Sequence, residues 1–89
     1  MRDIIFRTRY ERDFRRVKRR EKDIGKLEVV LEKLVKYGEL DTVYHPHKLI
    51  GEYQGLWECH IEPNWLLIYD INDTELLLVR TGSHTDLFE

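Results

Sequence analysis

Apolar and polar residues follow two different rhythms along this chain, and the switch between them marks its elements. Ile4, Ile5 and Phe6 form a short apolar run that fits a first strand. Tyr10, Phe14 and Val17 then recur at helical spacing, with Arg12, Arg15, Arg16, Lys18, Arg19 and Arg20 around them, which predicts a basic amphipathic helix. Thr8 stands where its cap belongs, with Glu11 three residues on to complete a capping box. Asp23 is the expected cap of a second helix, where Ile24, Leu27, Leu31, Leu34 and Val35 share one face. Gly38 is its expected stop. Almost nothing joins the two helices, so an antiparallel hairpin follows.

Beyond Gly38 the helical period is lost. Residues 39–55 are punctuated by Pro46, Gly51 and Gly55 and read as a loop, which carries His45 and His47. From Leu56 to Glu62 the period is two: Trp57, Cys59 and Ile61 fall on one face, Glu58, His60 and Glu62 on the other. Pro63-Asn64 predicts a turn, Trp65–Ile71 a central strand, Asn72-Asp73 a second turn, and Glu75–Thr81 a last strand ended by Gly82. Residues 83–88 make a helical turn or a tail. The reading is one α+β domain over residues 1–89, ordered β-α-α-β-β-β. It has a largely antiparallel four-stranded sheet and a helical hairpin on one face. The other face is left partly open, and a site belongs there.

Length and composition narrow the class. Eighty-nine residues, 42% hydrophobic and 36% charged, suit one modest folded core and exclude a disordered chain. Cys59 is the one cysteine, so no internal disulfide forms and a reducing compartment is favoured. The N-terminus lacks the apolar core of a signal peptide and no run is long enough to span a bilayer, so a cytoplasmic protein with no membrane partner is expected. The net charge of −2 hides an asymmetry. Residues 2–26 hold eleven basic side chains against five acidic, whereas residues 27–89 hold four against twelve. The basic half either meets a polyanion or is a solvated helix face.

Strand alternation sets His60 opposite Trp57, Cys59 and Ile61, and Arg80 opposite Leu77, Val79 and Thr81. If the helices cover the Trp57 and Val79 side, His60 and Arg80 face outward, with His84 just past one strand and His47 just before the other. Three histidines and an arginine suit RNA cleavage. A 2′-hydroxyl attacks the adjacent phosphorus, histidines take and give protons near neutral pH, and arginine holds phosphate oxygens. No metal or cofactor is needed. The bland readings are a structural strand histidine, a surface ion pair for Arg80 and core packing for Trp65. Phe88 near the terminus is read as functional, because burial there is usually poor. Glu58, Glu62, Asp70 and Asp73 are read as solvated positions. A metal site from His45, His47, His60 and Cys59 is disfavoured, because Cys59 alternates away from His60.

Three segments carry a family resemblance: His47-Lys48-Leu49-Ile50-Gly51, the run from His60 to Tyr69 (HIEPNWLLIY), and Arg80-Thr81-Gly82-Ser83-His84 followed by Leu87-Phe88. In that order they resemble the motifs of the RelE/ParE toxin superfamily, closest to its YafQ-type messenger-RNA endonucleases. The resemblance implies a type II toxin that cuts mRNA on the ribosome and is silenced by a cognate antitoxin. It implies catalytic roles for His47, His60, Arg80 and His84, and substrate contacts for Asn64, Trp65 and Phe88. Binding to RNA would lean on the basic helix, through Arg12, Arg16 and Arg19. Two departures stand out. Asn64 occupies a position that is usually aspartate, and the chain is slightly acidic where such toxins are basic. A ParE-like gyrase inhibitor and a non-catalytic binding module are the alternatives.

Overall fold

The computed structural model describes residues 1–88. The chain runs β1 (Asp3–Phe6), α1 (Thr8–Arg19), α2 (Ile24–Tyr37), a 3-10 turn at Thr42–Tyr44, and β2 (His47–Lys48). A second 3-10 turn at Gly51–Tyr53 leads to β3 (Trp57–Glu62), β4 (Trp65–Ile71), β5 (Glu75–Gly82) and α3 (His84–Phe88). One sheet holds all the strands, in the order β1-β5-β4-β3-β2. The α+β class and the antiparallel β3-β4-β5 meander agree with the sequence pattern. The sheet has five strands, not four. The extra one, β2, is two residues long, too short to show any period. β1 lies parallel to β5, so the sheet is mixed.

The helix ends follow local chemistry, with one correction. Asp23 caps α2 by accepting from the Gly25 N–H at 3.0 Å. Gly38 stops α2 at φ 73°, in the left-handed region that glycine enters without a Cβ clash. Thr8, however, is already helical, and Arg7 is the N-cap without a side-chain cap bond. The Arg7 N–H is spent on Leu78 O at 3.1 Å, a last ladder bond of β1 that sets where the chain turns.

The helices pack on the face presenting Cys59, Ile61, Trp65, Leu67, Tyr69, Leu76 and Leu78, against Tyr10, Val17, Leu27, Val30 and Leu34. The opposite face has its own smaller cluster: Leu66, Ile68, Val79 and Leu87, covered by Leu49, Tyr53 and Leu56. That face is therefore open only beside His60. A β-bulge decides the faces of β5. Ile68 pairs with Arg80 but Tyr69 with Leu78, leaving Val79 as the extra residue. The helices thus cover Leu76 and Leu78, not Val79, and Arg80 joins Ile68 on the far face.

β1 ends opposite Leu78, so the outer edge of β5 has no strand neighbour beyond it. Asp13 of α1 takes that place, accepting the Thr81 N–H at 3.1 Å. At the other end of the helix pair, α1 and α2 leave a groove of about 740 Å³ lined by Ile4, Phe6, Tyr10, Phe14, Ile24 and Leu31, among others. Ile4, Ile5 and Phe6 are 45%, 43% and 50% exposed.

Candidate active site

Pairing across the sheet sets His47, Glu58, Ile68 and Arg80 in one row spanning β2 to β5. His60 lies two residues along β3 from Glu58, on the same face. Its ring centroid is 6.4 Å from His47 and 6.3 Å from His84. The three histidines singled out from the sequence therefore meet. His84 begins α3, where its N–H is held by Asn64 Oδ1 at 3.1 Å. An amide oxygen accepts that bond as a carboxylate would, so Asn64 preserves the positioning of His84.

Glu58, read from the sequence as a solvated strand position, is 4% exposed and lies among these rings. Its Oε1 is 3.3 Å from His47 Nε2 and 3.7 Å from His60 Nε2. Oε2 has no hydrogen-bond partner, alone among the buried side-chain polar atoms of the described residues. A buried carboxylate without partners is costly, so it requires a proton or a facing cation. His47 Nδ1 lies 2.7 Å from the carbonyl oxygen of His45 and carries a proton to donate there. Its Nε2 then attracts Glu58 only if a second proton sits on one of the two groups. His47 and His60 are thus the two groups that face the Glu58 carboxylate. Glu58 shares the parity of His60 in β3, the one signal in the sequence that places it on the site face.

Arg80 stands on the far face as expected but is buried there, 5% exposed. Its Nε and Nη2 donate to the Asp13 carboxylate at 2.6 and 3.1 Å. Nη1 donates to Tyr53 Oη at 3.1 Å. The hydrogen bond to Asp13 holds the guanidinium firmly charged, its pKa raised further. Arg80 is a fixed positive pole beneath the site, in the row that contains Glu58. Trp65 is 1% exposed, its Nε1 donating to Thr81 Oγ1 at 3.0 Å, so it is core and cannot touch a substrate. Phe88 is 41% exposed and sits 5.6 Å from the His84 ring and 5.7 Å from Tyr53.

The basic helix divides. Arg12 and Arg19 are exposed, and among the described residues no acid lies within ion-pair distance of either. Arg16 is half-buried, 3.4 Å from Asp86 and 3.7 Å from Asp13. Arg20 donates to both Asp86 oxygens at 2.6 and 3.1 Å, which holds that carboxyl well below the usual carboxylate range. These bonds tie α3, and with it His84, to the end of α1. Cys59 points into the helix-side core, where burial pushes its thiol up to about 12. It cannot share a metal with His60, nor act as a nucleophile.

Comparison with known proteins identifies the family to which this fold belongs. Residues 2–89 match the family model described as "Bacterial toxin of type II toxin-antitoxin system, YafQ". The chain is 38% identical over 88 residues to the mRNA interferase toxin YafQ of Escherichia coli K12, covering 98% of this chain and 96% of that protein. It superposes on a crystal structure of a mutant E. coli YafQ with a TM-score of 0.92 at 36% identity, covering all of both chains. On YafQ in the E. coli DinJ-YafQ toxin-antitoxin complex the TM-score is 0.90 at 37% identity, covering 99% of this chain and 98% of that one. The fold is that of a toxin of type II toxin-antitoxin systems. Among these, the chain belongs to the YafQ family.

Proposed function

We propose that this protein, acting over residues 1–89 as one unit in the cytoplasm, is an endoribonuclease that cuts mRNA on the ribosome. The observation that carries the reading is the meeting of His47 and His84 on either side of His60, with the buried, half-partnered carboxylate of Glu58 beside His47 and His60. A 2′-hydroxyl seated between His60 and His84 loses its proton to one imidazole, and its oxygen attacks the neighbouring phosphorus. The other imidazole protonates the departing 5′-oxygen, leaving a cyclic phosphate. Glu58 and His47 hold and return the proton at His60. Arg80 stabilises the growing negative charge from beneath, through its field and not by contact, since Asp13 occupies its donors. Asn64 positions His84, and Phe88 offers its exposed ring to a base. Arg12 and Arg19 meet phosphates, with Arg16 behind them bound to Asp86.

YafQ of E. coli is held in complex with its antitoxin DinJ. By the same reading a cognate antitoxin silences this chain. The groove between α1, α2 and the exposed β1 suits an amphipathic segment of that partner.

The test is controlled expression in bacteria of the wild type, His84→Ala and Asn64→Asp, reading growth together with primer extension on a reporter message. Growth arrest with in-frame cuts, lost in His84→Ala and kept in Asn64→Asp, is expected. Arrest without cuts, untouched by His84→Ala, sinks the nuclease and points to gyrase or another target.

A further inference from the structure

The aromatic rings of the site face form a chain that is longer than the chemistry needs. Tyr53 to Phe88 is 5.7 Å between centroids, Phe88 to His84 5.6 Å, His84 to His60 6.3 Å, and His60 to His45 5.6 Å. The reacting groups sit at its middle. Phe88, backed by Tyr53, lies on one side, and His45, to which no role has been given, ends it on the other. His45 shares a cleft of about 850 Å³ with His47 and His60, and Val43, Tyr44, Ile61, Glu62 and Pro63 complete its lining.

We propose that this cleft is a base-binding subsite, and that His45 with Tyr44 receives the nucleotide on the opposite side of the scissile phosphate from the one resting on Phe88. The inference rests on the nuclease reading and extends it to the second flanking base. Apolar walls with a polar rim match a nucleobase, which has a stackable face and hydrogen-bonding edges. Val43 stands 70% exposed at the mouth, while Tyr44 is packed against the core and backs the cleft rigidly. His45 adopts φ 49°, a left-handed conformation uncommon for a residue with a side chain. The bond from His47 Nδ1 to its carbonyl at 2.7 Å fixes it there. Backbone held in this way persists where the side chain it aims has work to do. An aromatic platform on each side would splay the two bases and leave the phosphate between them over His60 and His84.

The experiment measures binding of a single-stranded RNA trinucleotide, made uncleavable by a 2′-deoxy sugar at the cut nucleotide, to the whole protein at fixed low salt. His45→Asn removes the ring but tolerates the left-handed backbone, and His45→Phe restores a ring. Each flanking base is replaced in turn by an abasic residue. We expect His45→Asn to weaken binding about 5–10-fold, as loss of one base-aromatic stack does, and His45→Phe to bind like the wild type. The loss should vanish when one particular flank is abasic, and the loss in Phe88→Ala should vanish with the other. An equal His45→Asn deficit on intact and abasic RNA, with wild-type cleavage intact, overturns the subsite but not the nuclease. If His45→Asn weakens antitoxin binding and leaves RNA affinity unchanged, the cleft belongs to the protein partner and the subsite is again overturned. Absence of both RNA binding and cleavage in the wild type overturns the two together.

Discussion

On the helix-covered face of the sheet, Trp65, Leu67, Tyr69 and Leu78 are closed to solvent, and the indole N–H has its partner in Thr81. On the opposite face Glu58 is buried nearly as deeply, at 4% exposed, yet one of its oxygens has none. A strand with period two delivers both environments from neighbouring residues: Cys59 and Ile61 into the first, Glu58 and His60 into the second. The fold's stability and its reactivity therefore lie about one strand-thickness apart, and substitutions can address either separately.

The strongest test of that separation pairs Trp65→Ala with His60→Ala. Trp65→Ala should lower unfolding free energy by ~3–5 kcal/mol in urea titration, because it empties a core position and removes the hydrogen bond that the Thr81 hydroxyl accepts. His60→Ala should stay within ~0.5 kcal/mol of wild type while cleavage falls ~10²–10⁴-fold. Equal losses of stability would mean that the two faces are one core.

Glu58→Gln sharpens the comparison, since it moves the two properties in opposite directions. Removing a half-partnered buried carboxylate should leave the fold unharmed or steadier by ~1 kcal/mol, while cleavage drops. A destabilised but fully active Glu58→Gln protein would show that Glu58 is only structural.

An effect on stability alone concerns Asp86, which ties α3 to α1. Its carboxyl is held below the usual range in the folded state, so its contribution is complete above about pH 4 and is lost as pH falls toward the folded value. Asp86→Asn should therefore melt lower than wild type at pH 7, by an amount worth ~1–2 kcal/mol. The two melting curves should converge as acid is added. A gap that persists at pH 2 would trace the loss to packing instead of charge.

The helices, the meander and the parity of β3 were legible because each is a local pattern: Leu27, Leu31 and Leu34 on one helical face, Trp57, Cys59 and Ile61 on one strand face. Family motifs added His47 and His84. What stayed hidden depends on partners distant in sequence. The Val79 bulge exists only through the register of β5 against β4, so counting by twos sent Val79 to the wrong side, although it kept Arg80 on the right one. Asp13 looked like one more charge on a solvated helix, yet it closes the edge that β1 leaves bare. Glu58 looked solvated because β2, which covers it, is two residues long. Thr8 and Glu11 spelled a capping box that the Arg7 ladder bond displaced by one position.

The parallel pairing of β1 with β5 also orders events during synthesis. Asp3 finds its neighbour in Glu75, seventy-two residues later. At a translation speed of ~5–20 residues per second, the first strand waits roughly 4–14 seconds for its partner. Asp13 and Arg80 wait about as long to meet. The site face is therefore left without Arg80 and its Asp13 partner until synthesis is all but finished, and a protein translated beforehand has that interval in which to arrive.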